Sequence, residues 1–89
     1  MKLVVKRRGH SETYDERKLY ASIFRACTVV SVPETEAELV AARVCQDVTV
    51  WLDGKHEITS RDIFGQATRH LEVYNPEAGY MYKHFRSVS

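Results

Sequence analysis

Residues 4–19 read VVKRRGHSETYDERKL, and the fold expected for this 89-residue chain follows from that stretch. Residues 3–5 begin an extended segment, Gly9 suits a turn, and residues 11–14 return with alternating polarity, which predicts an antiparallel hairpin with strands over residues 2–8 and 11–14. Asp15 is a suitable N-cap for a helix that follows directly. Because an isolated hairpin is only marginally stable in water, we expect it to pack on helices.

Two helices are expected after the hairpin. Apolar side chains recur every three or four residues over residues 19–30, which predicts an amphipathic helix over residues 16–29. A second helix is predicted over residues 34–52. It begins either with a capping box at residues 35–38 or with residues 33–34 as its first turn.

The second half of the chain predicts one short strand and two more helices. Residues 56–58 have the alternation of a third strand. The sequence Thr-Ser-Arg-Asp at residues 59–62 has the capping-box pattern, which predicts a third helix over residues 60–73. Asn and Pro at residues 75–76 are typical of the start of a helix, here predicted over residues 76–86. The expected fold class is therefore α+β, a four-helix bundle capped by a small three-stranded β-sheet.

Composition fits a single folded domain over residues 1–89. Hydrophobic residues make up 44% and charged residues 28% of the chain, which excludes a disordered tail. No apolar run is long enough for a transmembrane helix, and no signal peptide is recognisable, so a cytoplasmic location is expected. The two cysteines, Cys27 and Cys45, lack the spacing of a zinc site and are expected to be reduced, buried thiols.

The hairpin stretch also carries charges that suit an anionic ligand. In the predicted fold, Lys6, Arg7 and Lys18 surround the N-terminus of the first helix, whose free N–H groups favour an anion. Two carboxylates, Glu12 and Asp15, could accept hydrogen bonds from an amino group or from sugar hydroxyls. A nucleoside triphosphate with an aminated base would use both halves. The same charges are also typical of an ordinary solvent-exposed edge strand, and the residues alone leave both interpretations open.

Residues 4–26 contain a pattern that resembles a family signature. The pattern is Val4-x-Lys6-Arg7-x-Gly9-x-x-Glu12-x-Tyr14-Asp15-x-x-Lys18-Leu19, followed by Ser22, Ile23 and Ala26. It is similar to the signature of the ATP-cone domain, the allosteric nucleotide-binding module of many ribonucleotide reductases and of the zinc-ribbon repressor of reductase genes. Residues 58–63 and 80–85 resemble the later helix signals of the same family, so the resemblance covers nearly the whole chain.

The resemblance implies that ATP or dATP binds between the β-cap and the bundle. When the family's binding residues are carried over by position, Lys6, Arg7 and Lys18 would contact the phosphates. Base and ribose would be recognised by Glu12 and Asp15.

Further contacts are implied on other elements. Val5 adjoins the family's backbone contact to adenine, and Thr59 or Ser60 would offer a hydroxyl to a phosphate. A basic residue of the last helix would close the site. Lys83 is predicted to be that residue, with His84 and Arg86 as alternatives.

The expected function is a non-catalytic regulatory module that senses adenine nucleotides. The resemblance implies a protein partner or an attached catalytic or DNA-binding domain, and the chain is either a free-standing cone or a piece excised from a larger enzyme. Neither a catalytic residue set nor a metal site is recognisable from spacing, and any Mg²⁺ would be held mainly by the triphosphate. Self-association, if present, is expected around Tyr74, Tyr80 and Tyr82.

Two departures from the family pattern keep alternatives open. Asp15 stands where many members carry Asn, and Phe64 stands where a His is common. The chain could therefore be a cone-fold interaction domain that has lost nucleotide binding. A small nucleic-acid-binding module is the other alternative, but a net charge of +1 argues against direct nucleic-acid binding.

Overall fold

The computed structural model describes the backbone of residues 3–5, 11–55 and 58–88, and the side chains of residues 14–55 and 58–84. Its elements, in chain order, are β1 (Leu3–Val5), β2 (Ser11–Thr13), α1 (Glu16–Val29), α2 (Glu34–Leu52), α3 (Ser60–Tyr74) and α4 (Pro76–Val88). Within this described part, no helix combines the length and apolar character needed to cross a membrane.

The four helices form a closed ring around one apolar core. α1 packs on α2 and α4, and α3 packs on the same two helices. Small side chains let the helices approach closely, and larger ones fill the space between them. The fully buried side chains include Ile23, Ala26, Ala41, Val44, Val48, Leu52, Ile58, Ala67 and Leu71.

Side-chain caps explain where three of the helices begin. The Asp15 carboxylate accepts a hydrogen bond from the Arg17 backbone N–H at 3.0 Å, which caps α1. Thr59 and Asp62 form the predicted capping box at the start of α3. The Asn75 side-chain oxygen accepts from the Ala78 N–H at 3.0 Å and caps α4.

The loop between α1 and α2 decides the start of α2. Pro33 is the N-cap residue and provides no side-chain cap, so the first turn at residues 33–34 is correct and the alternative capping box at residues 35–38 is wrong. α1 ends in a Schellman arrangement, because the Val32 N–H donates to the Cys27 carbonyl at 3.0 Å. Ser31, with φ of 66°, occupies the left-handed position that glycine usually takes there.

The predicted α+β fold with a three-stranded β-cap is wrong. The described residues contain only a two-stranded antiparallel sheet, in which Val4 lies opposite Glu12. Of the predicted third strand, residues 56 and 57 lie outside the described residues, and Ile58 is not in a strand. The remainder of the described chain is dominated by helices.

Ile58 belongs to the helical core instead. Its side chain is 2% exposed and it precedes Thr59, the N-cap of α3. Ile63, five residues later, is buried in the same core cluster. An apolar residue before the cap and another one turn into the helix form a hydrophobic staple, which fixes the entry of the chain into α3.

Both cysteines are free and buried, as predicted. Burial, with a smaller contribution from the nearby Glu16 carboxylate, raises the pKa of Cys45 to about 12. Burial also raises the pKa of Cys27. Such thiols are inert at neutral pH because the reactive thiolate is hardly populated.

The buried Cys45 thiol predicts a loss of stability in alkali. In the unfolded chain a thiol ionises near its usual pKa of about 8.5, so above that pH the unfolded state releases a proton that the folded state retains. The stability that the protonated Cys45 thiol contributes to the folded state is therefore fully present below about pH 8.5, and it is lost as the pH rises toward 12. We expect the free energy of unfolding, measured with urea, to fall between pH 8 and pH 10.5.

Cys45→Ala should make this fall shallower while lowering stability at every pH, because the substitution removes the titrating group and also leaves a small cavity. Tyr80→Phe, at a position that is 63% exposed, is the control. An equal slope in Cys45→Ala and in the unsubstituted protein would contradict the assignment.

Candidate functional site

α1 and α3 begin at one end of the bundle, the end at which α2 and α4 finish. Phe64 of α3 contacts Tyr82 of α4, with ring centroids 5.2 Å apart, whereas Gly79 lies against Glu72. The later residue of α3 thus contacts the earlier residue of α4, so α3 and α4 are antiparallel. The short loops from α1 to α2 and from α2 to α3 reverse the chain in the same way. We call this end of the bundle the cap end.

The predicted site residues of the hairpin are only partly described. Val5 lies in β1 opposite Ser11, and Glu12 lies in β2. Lys6 and Arg7 fall outside the described residues. Because β2 leads into α1 within two residues, the hairpin connects directly to the cap end.

Asp15 and Lys18 mark the first turn of α1. The Asp15 carboxylate oxygen that caps the helix also lies 3.9 Å from Nε of Arg17. Asp15 is thus fixed to its own helix as a cap. Lys18 is exposed in the same turn, where a cation lies close to the helix N–H groups.

Thr59 and Ser60 lie at the start of α3. The Thr59 hydroxyl oxygen accepts from the Asp62 N–H at 3.1 Å, and the Asp62 carboxylate accepts from the Thr59 N–H at 3.1 Å. This cap uses the Thr59 hydroxyl as an acceptor, so its hydrogen remains able to donate to a ligand oxygen. Ser60 is the first residue of the helix and is half-buried.

Lys83 and residues of the first turn of α3 line the same open cleft, of about 430 Å³. We call it the α3 cleft. Its lining comprises Trp51, Arg61, Asp62, Phe64, Gly65, Gln66, Thr68, Arg69, Glu72 and Lys83. The structure therefore places Lys83 in one cleft with Arg61 and Asp62, whereas Thr59 and Ser60 are not among its lining residues. Asp15 and Lys18 of α1 do not line this cleft.

A buried aromatic link holds α4 in place beside the cleft. The Tyr82 hydroxyl lies 3.1 Å from the Ser22 hydroxyl of α1, and its ring packs on Phe64 of α3. Phe64, at the position where the family often has His, is thus an apolar packing residue. One residue of α4, next in sequence to Lys83, therefore contacts two other helices.

Tyr14 joins β2 to the same interior. Its hydroxyl is buried without a hydrogen bond of ordinary geometry to any described residue, and burial raises its pKa to about 12. The nearby Thr49 side chain offsets only part of that rise. An aromatic side chain between the strands and the helices gives the hairpin a fixed point on the bundle.

Several cleft residues were missed by the sequence interpretation. Arg61, Gly65 and Arg69 recur at intervals of four, a spacing that places them on one face of α3. That spacing was a usable signal. It did not show that Lys83 of α4 and Trp51 of α2 would face the same space.

A second groove, of about 480 Å³, lies between α2 and α3 and shares Trp51 with the α3 cleft. There the Tyr74 hydroxyl donates to the Asp47 carboxylate at 2.7 Å, and His70 Nδ1 lies 3.5 Å from the same oxygen. The hydrogen bond to Asp47 raises the pKa of Tyr74. Of the tyrosines predicted for self-association, Tyr74 and Tyr80 are exposed, whereas Tyr82 is a core residue.

Metal ligands do not cluster in the part of the chain that the structure describes. No group of three His, Cys, Asp or Glu side chains converges there.

Comparison with known proteins gives one family. The family model described as the ATP cone domain matches residues 2–87. The chain is 31% identical over 90 residues to the "Transcriptional repressor NrdR" of Synechococcus sp. (strain CC9311), a match covering 97% of this chain and 56% of that protein. It is 33% identical over 85 residues to the protein of the same name from Microcystis aeruginosa (strain NIES-843 / IAM M-2473), covering 96% and 47%. The chain thus spans about half the length of the curated relatives it matches, and it belongs to the ATP-cone family.

Proposed function

We propose that this chain is a non-catalytic regulatory domain that binds ATP or dATP at the cap end of the bundle. The observation that carries the proposal is the family match over residues 2–87. The chain would then act as a single ATP-cone domain. It would pass the presence of the nucleotide to an attached domain or to a partner, such as a transcriptional repressor or a ribonucleotide reductase.

The geometry of the cap end supports binding of a phosphate chain. α1 and α3 both begin there, and helix N-termini favour anions through unpaired N–H groups. Lys18 adds a cation on α1, and Thr59 offers a hydroxyl hydrogen on α3. By sequence, Lys6 and Arg7 follow β1 directly and would complete the set of cations.

The carboxylates would recognise the remainder of the nucleotide. Glu12 in β2 and Asp15 at the start of α1 are three residues apart and both adjoin the hairpin. In the proposal they accept hydrogen bonds from the base amino group and from the ribose. Mg²⁺, where present, would be held by the phosphates rather than by a protein cage.

The aromatic link gives the signal a route out of the site. Tyr82 contacts Ser22 and Phe64, so a ligand that tightens the starts of α1 and α3 also acts on α4. Allosteric coupling requires that the two states of the domain differ in their affinity for the partner. α4 is the proposed carrier of that difference.

Calorimetric titration with ATP, dATP, GTP and CTP, with and without Mg²⁺, tests the proposal. We expect saturable, adenine-selective binding that Lys18→Ala weakens by about tenfold or more, because the substitution removes a charge-assisted contact to phosphate. Arg43→Ala is the control. It removes a positive charge from an exposed position on α2, in the other groove.

Each alternative has its own outcome in this experiment. Absence of heat and of thermal stabilisation with every nucleotide would refute the proposal and favour an interaction domain that does not bind nucleotides. Binding to an oligonucleotide that weakens steeply with salt would favour the nucleic-acid module.

A further inference from the structure

Gly65 is an exposed glycine in the interior of α3 without a packing reason. A glycine inside a helix costs about 1 kcal/mol relative to alanine. A methyl group at position 65 would have no other atom within 4 Å, apart from its immediate helix surroundings. At Gly79, by contrast, a methyl group would meet the backbone of Glu72. The small size of Gly65 therefore serves no contact within the described chain and leaves the space above it open.

That space is part of the α3 cleft, and cationic residues lie on both sides of Gly65 along the helix. Arg61 lies one turn before Gly65, Arg69 one turn after it, and Lys83 reaches the same cleft from α4. At 1.5 Å per residue, Arg61 and Arg69 are separated by about 12 Å along the helix axis. Two cations at that separation suit an extended ligand with several negative groups better than a single small anion.

The acidic residues of the cleft form no ion pair with Arg61 or Arg69 among the described side chains. Asp62 already accepts the Thr59 N–H within the capping box. Glu72 lies against Gly79, at the far end of the cleft from Arg61.

The cleft is also continuous with the proposed phosphate contacts. Arg61 directly follows Thr59 and Ser60 in the first turn of α3, and Lys83, which the family resemblance implies as a phosphate contact, lines the cleft. A phosphate chain that starts at the N-terminus of α3 can therefore continue along the helix face over Gly65.

We propose that the α3 cleft binds the phosphate chain of the ligand, with Gly65 as an open floor and Arg61 and Arg69 as further phosphate-binding residues. This inference rests on the proposed function for the identity of the ligand, a nucleoside triphosphate. The cleft chemistry itself requires only a linear polyphosphate, so tripolyphosphate serves as an independent probe.

Affinities for ATP, adenosine and inorganic tripolyphosphate, measured by calorimetry on three variants, test the inference. Arg69→Gln should weaken ATP and tripolyphosphate by about tenfold, the usual effect of losing one charge-assisted contact, and leave adenosine unchanged. Arg43→Gln, on the exposed side of α2 that lines the other groove, is the matched charge control. Gly65→Ala should weaken both phosphate ligands while raising the melting temperature, so weaker binding cannot be attributed to unfolding.

The outcomes separate this inference from the proposed function. If ATP binds equally well to Arg69→Gln, Gly65→Ala and Arg43→Gln, the cleft inference is wrong and the proposed function stands. If tripolyphosphate binds in an Arg69-dependent manner but nucleotides show no base selectivity, the cleft stands and the adenine sensor fails. If neither ATP nor tripolyphosphate binds, both are overturned.

Discussion

Replacing Gly79 by alanine is expected to lower the free energy of unfolding by about 1–3 kcal/mol, the usual cost of overpacking a close contact. A Cβ at position 79 would lie 2.9 Å from Cα of Glu72 and 3.0 Å from its backbone nitrogen. Backbone atoms cannot rotate away as a flexible side chain can. α4 would therefore have to move away from α3, and the contacts of Tyr82 with Ser22 and Phe64 would be strained as well.

For Gly65→Ala we expect the opposite change in stability, although the substitution is of the same kind. It should stabilise the protein by about 1 kcal/mol, because helix propensity improves and no clash is introduced. Each kcal/mol corresponds to roughly 4–8 °C in melting temperature for a domain of this size. Urea and thermal unfolding of both variants would test these two predictions. A Gly79→Ala protein that is as stable as Gly65→Ala would show that α3 and α4 do not approach each other this closely.

Helix starts could be predicted because the signals are local. A cap residue acts on backbone N–H groups two or three residues away, so Asp15, Thr59 and Asn75 can be recognised without knowledge of the tertiary fold. The predicted bounds of α1 and α2 coincide with those of the structure, whereas α3 and α4 end at residues 74 and 88 rather than at 73 and 86. Helix ends carry weaker signals than helix starts, as the shifted ends of α3 and α4 illustrate.

Local patterns were insufficient where two elements had to meet. The spacing of Arg61 and Arg69 identifies one face of α3, but the partner across that face depends on helix packing. Lys83 could be proposed only from the family resemblance. From the sequence, Tyr82 was placed with Tyr74 and Tyr80 in a self-association surface, because an aromatic residue on an amphipathic helix can face either the core or a partner. In the structure it is 5% exposed.

The predicted third strand failed for a related reason. An extended segment turns alternate side chains to opposite sides whether or not it pairs with another strand. Burial of Ile58 was therefore compatible both with a strand and with an extended entry into α3. A sequence pattern three residues long does not distinguish the two, and the structure shows Ile58 outside a strand, before the Thr59 cap.

Ile58→Ala is therefore expected to destabilise the helical bundle, by about 2–5 kcal/mol, the range for truncating a buried isoleucine to alanine. Its side chain is 2% exposed and belongs to the core cluster together with Ile63 and Leu52. Removing it leaves a cavity and also loosens the staple that fixes the start of α3. Since a domain of this length is typically stable by only about 4–13 kcal/mol, the loss is a large share of the total.

A graded series distinguishes a core residue from a strand residue at position 58. Ile58→Val keeps a β-branched side chain and removes one methyl group, and for a core residue it should cost about 0.5–1.5 kcal/mol. A partly exposed strand position would tolerate that change, because valine and isoleucine favour strands equally. Val73→Ala, at a side chain that is 79% exposed, is the control and should change stability by less than about 0.5 kcal/mol. Losses for Ile58→Ala and Ile58→Val as small as that of the control would place Ile58 outside the core and reopen the case for a third strand.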